Sequence, residues 1–95
     1  MSALMIARVQ VSDLEEYKKY VAAASKATEK FGGKYIVRGG AVTPLENYDS
    51  DDRVVVMEFP DSATAKAWYE SPEYQAAREF RKDIAVGKFF IVEGC

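Results

Sequence analysis

The chain has 95 residues, 48% hydrophobic and 29% charged, enough for one domain over residues 1–95 and too apolar for a disordered segment. Thirteen basic residues stand against fifteen acidic ones, and this net charge of −2 gives no reason to expect nucleic acid as a partner. Histidine is absent and the one cysteine is Cys95, which excludes an internal disulfide, histidine-ligated haem and a histidine general base, and leaves a transition metal without its usual ligands.

Residues 3–11, ALMIARVQV, read as a first strand; the opening MSALMIARVQVSD lacks the basic start and long apolar core of a signal peptide. No apolar run approaches the roughly 20 residues of a membrane span, so a cytoplasmic protein without membrane contact is expected. Ser12 is the expected N-cap of the next helix, with Glu15 completing a capping box. Leu14, Tyr17, Val21, Ala24, Thr28 and Phe31 then recur at helical spacing until Gly32-Gly33 supplies a left-handed stop.

The alternating KYIVR (34–38) is a second strand, ending on Gly39-Gly40. A polar loop leads to RVVVMEF (53–59), an antiparallel hairpin partner. Within that loop YDSDD invites a calcium reading, but the central glycine is missing and the twelfth position is Pro60 rather than glutamate. Asp61 or Ser62 caps a helix over SATAKAWYE; Ser71-Pro72 interrupts it and restarts it as PEYQAAREFR. The last strand is GKFFIVEG (87–94). The order β-α-β-β-α-β predicts an α+β, ferredoxin-like domain: a four-stranded antiparallel sheet with two helices on one face.

Side-chain alternation adds a partner. Val54 and Val56 point one way and Val55, Met57 and Phe59 the other; Phe90 and Val92 likewise oppose Phe89 and Ile91. Two helices cover one face only, and the free face of an antiparallel sheet is normally polar. A homodimer through the second sheet face is therefore expected, and the sequence leaves open which set of residues faces it.

The stretches GGKYIVRGG, VVVMEFPDSATAKAWYESPEYQAAREFR and FFIVEG together resemble domain-of-unknown-function family 1330, within the dimeric α+β barrel superfamily. That resemblance implies a small cytosolic dimer of no established activity. The superfamily implies cofactor-free monooxygenases on aromatic substrates, lactone isomerases, haem enzymes and ligand-sensing modules, and fold alone does not choose among them. LENYDSDD (45–52) departs from the family pattern by placing Asn47 where glycine is expected, a residue that also tolerates a left-handed turn.

Arg38 beside Gly39 offers a guanidinium and open backbone N–H groups, suited to a carboxylate, phenolate or enolate. The plainer alternative is a surface arginine next to a turn. Tyr74, Arg78 and Arg81 share a helix face at i, i+4 and i+7, either presenting a phenol and cations to a cavity or capping the core with solvated arginines. Trp68 and Tyr69 are core or pocket wall, and Tyr17 and Tyr20 line the same space from the first helix, their hydroxyls needing partners if buried. Ser71 is a cap rather than a nucleophile, since no histidine exists to activate it.

Two functions are compatible with these residues. One is the binding of a small anionic, aromatic or enolisable metabolite between sheet and helices, with cofactor-free monooxygenase or isomerase chemistry on it. The alternative is a non-catalytic dimeric binding or structural module. Neither calls for a cofactor or a metal.

Overall fold

A computed structural model describes residues 2–48 and 50–95. Alternation is clearest in β1 (Ala3–Val11), where Ala3, Met5, Ala7 and Val9 are buried and the residues between them are not. The helix α1 (Leu14–Lys30) follows, then the hairpin strands β2 (Lys34–Arg38) and β3 (Arg53–Phe59), the helices α2 (Ser62–Glu70) and α3 (Pro72–Glu79), and β4 (Ala85–Glu93). The strands form one antiparallel sheet in the order β2-β3-β1-β4, which is the ferredoxin-like arrangement. No helix among the described residues is long and apolar enough to cross a membrane.

Two local expectations change. Asp13, not Ser12, caps α1: its carboxylate accepts the Glu16 N–H at 3.1 Å. The Ser12 hydroxyl instead donates to the Ile84 carbonyl at 2.9 Å, tying the entry of α1 to the approach of β4. The buried stripe of α1 begins at Tyr17, so Leu14 stays 65% exposed. The second helical region is two short helices joined at Ser71. That hydroxyl donates to the Trp68 carbonyl at 2.7 Å and accepts the Tyr74 N–H at 3.1 Å, closing one helix and opening the next. Trp68 and Tyr74 are thereby brought together, both fully buried, with ring centroids 4.3 Å apart.

Register assigns the two sheet faces. Met5 pairs with Met57 and Ala7 with Val55, and this face meets the helices. Ile6 pairs with Val56 and Phe90, and Leu4 with Val92, on the other face. Phe90 and Val92 there are 47% and 45% exposed. The outer face is apolar and carries no helix among the described residues.

Strand β2 is irregular at one position. Tyr35 pairs with Met57 but Val37 pairs with Val56, so Ile36 is an extra residue. This β-bulge breaks the two-residue alternation and puts Arg38, opposite Val55, on the same helix-facing side as Tyr35. Gly39 comes next at φ +74°, its N–H donating to the Val54 carbonyl at 2.9 Å. A Cβ there would overlap the guanidinium of Arg53. Gly40 has no such neighbour within 4 Å.

Gly39→Ala is expected to cost about 1–2 kcal/mol through left-handed strain alone, more with displacement of Arg53. Thermal unfolding should show a loss of about 4–8 °C per kcal/mol in a domain this size. Gly40→Ala should leave the midpoint unchanged. Ser71→Ala removes both bonds at the α2–α3 joint and is expected to destabilise by about 1–2 kcal/mol in the same measurement.

Candidate functional site

Between the helix-facing side of the sheet and α1 lies a narrow cavity of about 30 Å³, room for about two water molecules. Met5, Ala7 and Val9 of β1 form its floor with Val55, Met57 and Phe89. Tyr17, Tyr20, Val21 and Ala24 of α1 make the opposite wall, and Trp68 of α2 lies at its side. Tyr35, Arg38 and Arg53 complete the lining from the hairpin. Among the described lining residues none is a carboxylate.

The polar groups fall into two sets. At the hairpin, Arg38 donates from Nη2 to Ser25 Oγ at 2.6 Å and lies 4.2 Å above the Tyr35 ring. Arg53, one residue from Val54 and on the helix-facing side opposite Val9, stacks 5.8 Å from the Tyr17 ring. Its Nε is buried with no hydrogen-bond partner among the described residues. Two guanidiniums, one from each side of the 39–52 loop, thus border the same cavity. Neither forms an ion pair among the described residues.

Deeper in, Tyr20 and Tyr74 place their hydroxyls 3.0 Å apart, and Arg81 Nη2 donates to the Tyr74 hydroxyl at 3.2 Å. Arg81 is only 6% exposed, sandwiched 4.4 Å from the Phe89 ring and 5.4 Å from that of Tyr20. A buried cation held by aromatic faces and a phenol, with no carboxylate partner among the described residues, is uncommon. Burial pushes the Tyr20 hydroxyl up from its ordinary value, and the neighbouring Tyr74 adds to the rise. Burial also raises that of Tyr17, against the opposing positive charge of Arg53 and Arg81. Both phenols therefore stay protonated at neutral pH and act as donors. The indole N–H of Trp68 is buried and unpartnered among the described residues.

Of the residues singled out in the sequence, Arg38, Tyr17, Tyr20 and Trp68 line the cavity. Gly39 does not; it supports Arg53 from beneath and borders a separate, open surface groove. Tyr74 and Arg81 stand one layer behind, reaching the cavity through Tyr20. Arg78 is on α3 with Tyr74 but neither lines the cavity nor joins this chain of bonds. Arg81 lies in the turn after α3 ends at Glu79, so the three do not share one helix face as expected. Sequence reasoning missed Arg53, Tyr35 and Ser25. Arg53 was findable, because strict alternation puts it on the face of Val55 and Met57. Tyr35 and Arg38 acting together was not, because alternation without the bulge separates them.

Solved structures with this fold are similar over nearly the whole chain. A protein of unknown function from Rhodopseudomonas palustris is 19% identical, with TM-score 0.78, over 99% of this chain and 82% of that one. SnoaB, a cofactor-independent oxygenase from Streptomyces nogalater, is 9% identical with TM-score 0.71, over 99% of this chain and 93% of its own. A dimeric ferredoxin-like protein of unknown function from Thermobifida fusca is 19% identical with TM-score 0.60, over 97% and 92%. At these identities the likeness is one of fold. No curated protein matches the chain in sequence. The family model for the domain of unknown function DUF1330 matches residues 2–95, and the chain belongs to that family.

Proposed function

We propose that the protein binds a small anionic metabolite, aromatic or enolisable, in the cavity between sheet and α1, with its acid group held by Arg38 and Arg53. The observation that carries this reading is the pair of guanidiniums bordering a largely apolar cavity with no carboxylate among its described lining residues. Arg38 is tied only to a neutral hydroxyl, which a ligand carboxylate displaces in favour of a charge-assisted bond. At about 30 Å³ the cavity is too small for an aromatic ring, so binding requires the hairpin side chains to move outward.

Catalysis on such a ligand would rest on stabilising developing negative charge at the arginines, since no histidine or carboxylate among the described lining residues can take a proton. A cofactor-free oxygenase or isomerase acting on a readily ionised substrate fits that limit, and SnoaB, named a cofactor-independent oxygenase, has the same fold. The same lack of a base favours the second reading, a binding module without turnover.

The apolar outer sheet face is assigned to a second copy of the chain. Support comes from the exposed Phe90 and Val92 beside Val56 and Ile6, and from relatives of this fold described as dimeric.

Small aromatic carboxylates should raise the melting temperature while their amides do not, with about 2.7 kcal/mol of stabilisation at a hundred times Kd. Arg38→Ala or Arg53→Ala should weaken acid binding about tenfold or more, the range of a lost charge-assisted bond, and leave amides unaffected. Equal binding of acids and amides would reject the anion site. Oxygen consumption or product formation with a bound acid separates enzyme from binding module.

For the dimer, Val56→Lys is expected to give a folded monomer by light scattering. Val55 is on the helix-facing side, partly buried against the core, and Val55→Lys should instead lower the unfolding midpoint.

A further inference from the structure

We infer that the inner end of the cavity is a hydrogen-bonding subsite for a carbonyl or enolate oxygen of the ligand, formed by the Tyr20 hydroxyl and the Trp68 indole N–H and oriented by Arg81 through Tyr74. The inference deepens the anion-binding reading and rests on it for the ligand's other end.

The direction of the bonds is set by what each group can do. Arginine only donates. The Tyr74 oxygen therefore accepts from Arg81, at 3.2 Å. Tyr74 is fully buried, and its own proton has one acceptor among the described residues, the Tyr20 oxygen at 3.0 Å. With Tyr74 donating to Tyr20, the chain runs Arg81 to Tyr74 to Tyr20. The proton of Tyr20 is then left over, on a side chain that is 7% exposed and lines the cavity. The reverse order would strand the Tyr74 proton in the aromatic cluster, where burial without a partner is costly.

Another lining residue carries a second unpaired donor. Trp68 is fully buried and lines the cavity, and its N–H has no partner among the described residues. An indole N–H cannot accept. Two unpaired donors on residues that line a cavity with no carboxylate among its described lining residues call for an atom with lone pairs. A ketone or enolate oxygen supplies lone pairs and brings no proton of its own. Burial of Arg81 with no counter-ion among the described residues gives this arrangement its polarity: a positive end, transmitted through two phenols, aimed at the ligand oxygen. Tyr20 and Trp68 are thus assigned as ligand contacts, and Tyr74 and Arg81 as positioning residues. The ligand class narrows to keto acids or their enols, with the acid at the hairpin and the ketone inside.

The test compares benzoylformate with phenylacetate, which lacks the ketone, and acetophenone with ethylbenzene as the uncharged pair. Because the chain has a single tryptophan, heteronuclear NMR reports the indole N–H as one signal. Benzoylformate should bind about fivefold or more tightly than phenylacetate, the effect of one net hydrogen bond. It should also move the indole signal downfield, which phenylacetate should not. Tyr20→Phe should lower the ratio of the two acids, leaving only the part the Trp68 N–H supplies. Arg38→Ala should weaken both acids but preserve their ratio, separating the two ends of the site. Arg81→Met should reduce the ratio in a variant whose fold is verified by the same spectra. The indole shift in the unaltered protein decides the matter if Tyr20→Phe fails to fold. Should neither acid bind, the arginine end is wrong, and the uncharged pair decides alone: acetophenone moving the indole signal supports the inner subsite. Equal binding of ketone and methylene compounds, an unmoved indole signal with ketone bound, or no binding of either pair overturns it.

Discussion

The single extra residue in β2 is what the site depends on. An uninterrupted strand would send Arg38 to the outer face with Lys34, away from Tyr35. The bulge at Ile36 rotates the strand's end so that Tyr35 and Arg38 share the helix-facing side, close enough for the guanidinium to stack on the ring and reach Ser25 of α1. Gly39 then turns the chain in a left-handed conformation and leaves space for the guanidinium of Arg53. A bulge, a glycine and two arginines on either side of one loop thus act as a unit. β2 is an edge strand, where a bulge disturbs only one ladder.

Behind that unit the core is unusually aromatic and unusually polar. Ser71 breaks the second helical region so that Trp68 and Tyr74 stack, and Arg81 is carried into the space beneath them. Burying a guanidinium with no carboxylate partner among the described residues costs solvation that the faces of Phe89 and Tyr20 and one phenolic acceptor only partly offset. A domain built for packing alone would place leucine or methionine there, which makes this arginine a stronger indication of function than the exposed charges on α1. The i,i+3 pairs Lys18–Glu15 and Lys19–Glu16 on that helix are solvated and contribute little to the fold.

Much of the architecture was legible because it rests on periods of two and 3.6. Strand alternation identified the apolar faces, the Gly32-Gly33 stop and the Ser71-Pro72 restart marked helix limits, and Asn47 takes the left-handed conformation its residue type allows. Element ends were less legible. Ser12 and Asp13 are both good caps, and only the tertiary bond from Ser12 to Ile84 decides between them. Register also lay beyond the sequence, since Val55 and Val56 are the same residue type on opposite faces. The candidate site was legible in its residue types more than in its assembly. Arg38, Tyr17, Tyr20 and Trp68 line the cavity together with Arg53, whereas Arg78 does not. A bulge leaves no periodic trace in five residues, so the grouping of Tyr35 with Arg38 needed the structure.

The bulge turns Arg38 to the helix-facing side, where it and Arg53 border the cavity proposed to hold an anionic ligand. A high-resolution crystal structure of the protein soaked with a small aryl carboxylate tests it most directly. Density is expected in the space between β1 and α1, with the carboxylate within hydrogen-bonding distance of both guanidiniums and the Arg38–Ser25 bond broken. Arg38 turned to the outer sheet face, or a cavity filled by the protein's own side chains with the carboxylate bound elsewhere or not at all, would contradict it.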